Sequence, residues 1–530
     1  MTAIVLYLIS SLTRLLFIFY SFPSVTHDEA DIFINGYLVA KTGSDLWNHG
    51  LFLISGLLSA NSSFAIYLNA LFFKIFPKTI FFSRLPFLLL NSFIPLLIYL
   101  ITNKLTKNKI FSLIVFIAAN FSPWLVYLSG QSAFNAPLAF VFLLFAIYSL
   151  ISIKLSLIRY GLFLSAAFLS FNSYLGAASG FILLLLIALI IDEVSRNKKL
   201  DLKSLIRLSF FSLIIYLVFT GLMFLAPGNE LLKSTGSGIL TANKNKIEHT
   251  VWYERLVNQG SPLVKKLMAN KVTVATDLFL DRYTSVFDLK TLFVKGDSHP
   301  IYGNRFGQFY LWELIFLIIG IVRFSEIFKK NSTRLALIVC CFIIFAPVPV
   351  VFQPEVSIAL RAFPLIFPLL FLIGLGIFFI KFKYKIKLVY IFLFYLLSFT
   401  LFLFTFYNRI SVAASEQWHL SEKILTERLE LLKTRYKQIV IITKEPKETL
   451  LLYHFYQSKD ALEIKKSLKA NNYQTDNIFF SKHCPDRPLS PENFYLMKKD
   501  SCNKNLFKTV PYIEAFDKSG TMYYKIENNL

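Results

Sequence analysis

Two neighbouring carboxylates, Asp28 and Glu29, stand in a polar string that also holds Thr26, His27 and Asp31, directly after the first long apolar run of the chain. Carboxylates just past an apolar run are candidates for proton transfer. They equally suit the opening of a helix, with Asp28 as its cap and Glu29 in its first turn, where the amide dipoles favour negative charge. Other chemical signatures do not occur in the sequence. It has no Walker-type glycine loop, dinucleotide fingerprint, zinc-spaced cysteine set or Gly-x-Ser-x-Gly elbow. Which reading of Asp28 and Glu29 applies depends on what the surrounding chain builds.

The chain has 530 residues, 55% of them hydrophobic and 16% charged, with 57 Phe and 26 Tyr gathered in blocks. Soluble domains carry about a quarter charged residues and few long apolar runs. This composition excludes a disordered, a disulfide-rich secreted and an ordinary soluble protein. About eleven runs are long enough to cross a hydrocarbon core as helices. They cover residues 3–22, 85–101, 110–128, 136–153, 160–174, 176–191, 208–225, 309–322, 335–352, 362–380 and 388–406. The apolar stretch 64–76 is shorter, is flanked by Lys74, Pro77 and Lys78, and reads as a helix lying in the interface.

The short loops set an orientation, because Lys and Arg gather on the cytoplasmic side. Lys104, Lys107 and Lys109 follow the second span, and Lys154 and Arg159 the fourth. Arg196 to Arg207 follow the sixth, Arg323 to Arg334 the eighth, and Lys381 to Lys387 the tenth. Every second exit is basic, so the N-terminus is expected in the cytoplasm and the C-terminus outside, in a multi-pass protein of the inner or plasma membrane. The net charge of +23 would otherwise suggest nucleic acid as partner. Its concentration in these loops makes it mainly a topology signal, and no nucleic-acid partner is expected. The first span lacks a small-residue cleavage site before His27 and reads as retained rather than as a signal peptide.

This layout predicts a transmembrane module over residues 1–407, with external loops 23–84 and 226–308, and a soluble external α/β domain over 408–530. In that domain the pattern predicts a polar helix in 413–437, strands at 438–443, 477–480 and 522–526, and a helix at 449–457. Cys340 and Cys341 fall inside a span, while Cys484 and Cys502 fall in the external domain, where pairing and free thiols are both open. Only Arg14 and Glu313 are charged within spans. Ion-coupled transporters usually place several ionisable groups at membrane depth, so the chemistry is expected at the external surface.

At these residues the sequence resembles the polytopic glycosyltransferases of the GT-C fold, and within them the family-39-like bacterial branch related to protein O-mannosyltransferases and the lipid A aminoarabinose transferase. The likeness rests on Asp28-Glu29, Asn35-Gly36-Tyr37, Thr42-Gly43-Ser44-Asp45, Arg84-Leu85-Pro86, Ser122-Pro123-Trp124, Lys295-Gly296-Asp297 with His299, and Leu360-Arg361. It runs in order through most of residues 1–407. It departs at Ser129-Gly130-Gln131, where many relatives carry an Arg or an acidic residue.

The resemblance implies a sugar transfer from a polyprenyl phosphate to an acceptor hydroxyl on a glycan, lipid or protein, with inversion. Asp28 would be the general base and Glu29 its positioning partner. A carboxylate suits both proton acceptance and an oxocarbenium-like sugar. The leaving phosphate calls for fixed cations. Arg361, at the mouth of the tenth span, and Arg84, after the interfacial helix, are the candidates, each with the alternative of an anchor snorkelling to headgroups. His299, Asp297 and Gln131 are candidate contacts to sugar or phosphate, against the alternative of ordinary exposed loop residues. Phosphate can leave without a metal, so no cofactor is demanded, although a divalent cation is compatible. A lipid-linked glycan transporter and a non-catalytic membrane scaffold are the competing readings.

Overall fold

The computed structural model describes residues 2–19, 24–48, 63–130, 135–174, 230–299, 306–325, 333–352, 357–457, 459–470, 473–485, 489–502, 507–515 and 519–527, with a few isolated positions. Most of the expected spans 176–191 and 208–225, and the candidate Gln131, lie outside the described residues. The first helices are α1 (Thr2–Phe19), α2 (His27–Thr42), α3 (Ser63–Phe73), α4 (Ile80–Asn91), α5 (Phe93–Thr106), α6 (Lys109–Phe121), α7 (Pro123–Ser129), α8 (Asn135–Ser152) and α9 (Ser156–Ser173). There follow α10 (Glu230–Val257), α11 (Pro262–Met268), α12 (Lys271–Ser285), α13 (Glu313–Arg323), α14 (Thr333–Phe345), α15 (Val348–Phe352), α16 (Ile358–Arg361), α17 (Ile366–Lys383) and α18 (Leu388–Thr405). The C-terminal part holds α19 (Leu420–Leu432), α20 (Pro446–Tyr456) and α21 (Ala461–Lys469). Its strands are β1 (Gln438–Ile442), β2 (Gln474–Thr475), β3 (Ile478–Ser481), β4 (Asn493–Lys498), β5 (Lys508–Glu514) and β6 (Thr521–Glu527).

Among the described residues, five helical stretches are long and apolar enough to cross a membrane, namely Ile80–Thr106, Asn135–Ser152, Arg334–Val351, Phe363–Lys383 and Leu388–Ala413. A sixth is the pair α6 and α7, which bends by 56°. The bend follows from Pro123, which opens α7 without an amide proton and drives Ser122 to an extended ψ of 124°. The chain is a multi-pass membrane protein. Helix α3 is 11 residues long, or about 16 Å, half the hydrocarbon thickness.

The chain divides into two compact units. One comprises residues 1–14, 90–129 and 136–402. In it α5 turns into α6 through Lys107 in the left-handed conformation and Asn108, whose side chain accepts from the Phe111 amide. Helices α13 and α17 cross so closely that a Cβ on Gly320 would stand 1.9 Å from the Leu372 carbonyl oxygen, and one on Gly376 would stand 2.0 Å from that of Phe316. Small residues let membrane helices approach where no hydrophobic effect drives them together. The two charges expected in spans are buried here. Arg14 donates to Ser129 Oγ, Asn120 Oδ1, Ser10 Oγ and the Ser10 carbonyl, while Glu313 accepts from the Tyr310 amide and the Tyr395 hydroxyl.

The other unit comprises residues 15–89, 130–135 and 403–530. Its sheet has the order β2-β3-β1-β4-β6-β5, with β1 parallel to β3 and β4, and the remaining pairs antiparallel. The α/β character expected for the C-terminal part holds. Three strands, the central β4 and the two edge strands β2 and β5, have no counterpart among the expected strands. Cys484 and Cys502 form a disulfide. Helices α20 and α21 lie against α2 in this unit. Lys78 donates to the carbonyls of His454 and Gln457, the Val25 amide to Tyr456, and Lys465 to Ser44.

Candidate functional site

Helix α2 starts at a Thr-x-x-Glu sequence, and Thr26 is its N-cap, accepting from the Glu29 amide at 3.2 Å. The alternative in which Asp28 caps the helix is therefore corrected, since the cap lies two residues earlier and Asp28 sits inside the first turn. A capping box would turn the Glu29 side chain back to the cap. Instead Arg84 takes both of its oxygens, Nε to Oε1 at 2.9 Å and Nη2 to Oε2 at 2.6 Å, with both side chains fully buried. Arg84 also donates to the Ser24 carbonyl and stacks over Trp418 at 5.4 Å. The guanidinium fork matches a carboxylate in geometry and charge, so Glu29 is fixed. Asp28 is different, with a side chain 21% exposed and one oxygen 3.5 Å from His27 Nε2. The pair thus contains one fully buried and one partly exposed carboxylate.

Further along α2 the motif residues have structural work. Gly36 is required because a Cβ there would come within 2.8 Å of Asn69 Cβ on α3. Asn35 donates to Asp31 and receives the Leu46 amide. Gly43, at φ 76°, ends α2 in the left-handed region that favours glycine.

In the other unit, Asp297 organises a second cluster. It follows Gly296, whose φ is 68°, and is buried. Its Oδ2 accepts from Ser357 Oγ at 2.7 Å and the Ala359 amide at 2.8 Å, and its Oδ1 from the His299 amide at 2.9 Å. Ser357 in turn caps α16 by accepting from the Leu360 amide. The Trp124 indole donates to the Ala359 carbonyl at 3.0 Å. These contacts fix the short helix whose last residue is Arg361. The Arg361 guanidinium is buried over the Tyr174 ring at 5.2 Å, and its Nε and Nη1 have no hydrogen-bond partner among the described residues. Buried donors without partners are rare, and a forked cation in that state suits an anion. His299 is half-buried, and its Nδ1 accepts from the Ile301 amide at 3.3 Å. Burial lowers its pKa against the opposing pull of Asp297.

The structure thus brings Asp28, Glu29 and Arg84 together in one unit, and Asp297, His299 and Arg361 in the other. Sequence reasoning missed His419 and Glu448, which approach His27. No spacing signal could have found them, because the fold alone joins positions nearly four hundred residues apart.

No family model and no curated protein matches the chain. Two solved structures are similar to it. One is the oligosaccharyltransferase AglB from Archaeoglobus fulgidus, in complex with an inhibitory peptide and a dolichol-phosphate, at TM-score 0.46 and 14% identity, covering 85% of this chain. This chain spans 63% of that one. The other is ArnT from Cupriavidus metallidurans bound to undecaprenyl phosphate, at TM-score 0.48 and 10% identity, covering 99% of this chain and 97% of that one.

Proposed function

We propose that the protein is a membrane glycosyltransferase that moves a sugar from a polyprenyl-phosphate donor to an acceptor hydroxyl at the external face, with inversion. The observation that carries this reading is the division of labour at the start of α2, where Glu29 is held by Arg84 and Asp28 stays accessible. Asp28 takes the acceptor proton as the acceptor oxygen attacks the anomeric carbon. The bond to phosphate breaks with its electron pair on the leaving oxygen. Arg84 acts through Glu29, its guanidinium being committed there. Arg361, with two donors that have no partner among the described residues, is the group suited to the growing phosphate charge. Asp297 supports the Arg361 turn, and His299 and Gln131 are polar contacts to sugar or phosphate. The chemistry needs no cofactor, and a divalent cation is compatible with it. The acceptor is a glycan, lipid or protein hydroxyl.

The test uses purified protein in detergent with polyprenyl-phosphate sugars and a panel of acceptors. Transfer should fall by at least about a hundredfold in Asp28→Asn, the scale of general-base loss, and comparably in Arg361→Ala. Transfer that survives Asp28→Asn sinks the mechanism, and no transfer with any donor removes the enzyme.

A further inference from the structure

One potential ligand atom from each of His27, His419 and Glu448 lies within 4.8 Å of the others, and all three residues are half-buried. His27 is the first residue of α2, His419 precedes α19, and Glu448 is in the first turn of α20. The imidazole rings meet edge to face at 5.9 Å. His419 Nε2 is 3.5 Å from Glu448 Oε1, and its Nδ1 is 3.6 Å from Glu422 Oε2. Glu422 is itself buried and receives Lys498 Nζ and the Tyr523 hydroxyl. His419 has φ 54°, a backbone conformation uncommon outside glycine and associated with functional constraint.

A protonated His419 bridging two carboxylates would account for part of this. That bridge leaves out His27, whose ring packs edge to face on His419 and whose Nε2 lies 3.5 Å from Asp28 Oδ1. Two imidazole nitrogens and one carboxylate oxygen around one point are a zinc-type ligand set, leaving a fourth position for water. A carboxylate behind the distal nitrogen of a ligating histidine is the usual orienting group for such sites, and Glu422 occupies that place. Nitrogen-rich sets of this kind disfavour magnesium and calcium, which take oxygen.

We propose that His27, His419 and Glu448 bind a divalent transition metal of the zinc class, oriented by Glu422, and that the ion fastens the first turn of α2 to the C-terminal α/β part. The site goes beyond the proposed sugar transfer and takes no part in the departure of phosphate. It fixes the backbone next to Asp28.

The experiment titrates zinc into full-length, metal-stripped protein in detergent and measures stoichiometry after desalting, alongside the cobalt absorption spectrum. The background is Cys340→Ser with Cys341→Ser, so that membrane thiols cannot bind. One ion per chain is expected, with a cobalt spectrum lacking thiolate charge transfer and a zinc-dependent rise in unfolding temperature. His27→Gln, His419→Gln and Glu448→Gln should each weaken binding at least about tenfold, and Glu422→Gln about tenfold. His483→Gln, at an exposed position, should leave it unchanged. His27→Gln keeps the test decisive if His419→Gln fails to fold, since it lies outside the C-terminal part. Binding equal in all variants means an adventitious ion only and overturns the proposal, as does transfer-competent protein that retains no zinc. Stoichiometric zinc in a protein without transfer activity supports the metal site while removing the transferase.

Discussion

At the scale of single residues, the decisive contrast is between charges that are fully buried and charges that are partly exposed. Glu29 and Arg84 are held, and a buried pair broken on one side leaves an uncompensated charge. Arg84→Ala should therefore lower stability by about 3–5 kcal/mol, while Glu29→Gln with Arg84→Met recovers most of it. Detergent-phase melting curves of the two variants decide this, and equal losses would show that the pair contributes no coupling. His454 gives a second test. Its Nε2 lies 3.0 Å from Ser467 Oγ, which donates to the Gln474 carbonyl, so the ring is the donor in that pair. Burial first, then Lys78, Lys459 and Lys433, lower its pKa to about 3 against the opposing Asp476. The folded pKa lies below the unfolded value of 6.5, so the unfolded chain binds more protons between these limits. Stability is then complete above pH 6.5 and falls as the pH drops towards 3. The neighbouring Lys78, lowered by burial to about 7 from 10.5, has its window above that range. His454→Gln should flatten the acid limb by roughly 1.4 kcal/mol per pH unit, read from unfolding midpoints against pH. Parallel curves for the two proteins would refute the assignment.

At the scale of elements, the sequence made the apolar helices and half of the C-terminal domain legible, and the reasons are physical. Long runs such as 136–153 and 362–380 announce themselves by length and hydropathy, and helices α8 and α17 occupy them. The strands at 438–443 and 522–526 show β-branched and aromatic runs bounded by turns, and β1 and β6 occupy them. Strand β4 was missed because its apolar run, Phe494–Met497, lacks the alternation that separates a strand from a helical turn, and its place between β1 and β6 is set by non-local pairing. The same limit applies to the site. Asp28-Glu29 was visible as a motif, but the Arg84 fork and the Asp297 to Ser357 link join residues far apart in the chain. The close crossing of α13 and α17 was also invisible, since a glycine in an apolar run carries no label of its partner. It gives a sharp expectation: Gly320→Leu or Gly376→Leu must push apart backbones that leave no room for a side chain. Both should abolish a monodisperse elution peak in detergent. Gly161→Ala in α9, with nothing among the described residues within 4 Å of the new atom, should instead stabilise by about 0.5–1 kcal/mol. If the leucine variants elute normally, the crossing is not a packing determinant.

At the scale of the whole molecule, topology is constrained by contacts inside one compact unit. Lys465 reaches Ser44, Tyr37 donates to the Lys459 carbonyl, and Val25 donates to Tyr456. Residues 24–48 and the α/β part after residue 420 must then lie on one side of the membrane, so the chain between them crosses an even number of times. The spans expected between those points from length and hydropathy are even in number when 64–76 is left in the interface, and odd when it is counted. Helix α3, at about half the needed length, agrees with the first count. The alternation of basic loops reached the same exclusion from charge alone. Buried contacts and lysine placement therefore require the same parity. The sign of the topology is a separate matter, and it rests on the basic loops together with the Cys484–Cys502 disulfide, which persists in an oxidising compartment. Single cysteines at Ser44 and at His483, each in a background with Cys340 and Cys341 replaced, should both label with an impermeant maleimide on intact cells. A cysteine at Lys198 should label only after permeabilisation. Labelling of Ser44 and His483 from opposite sides would break the parity argument, and labelling of both only from within would reverse the orientation and remove Asp28 from the external face.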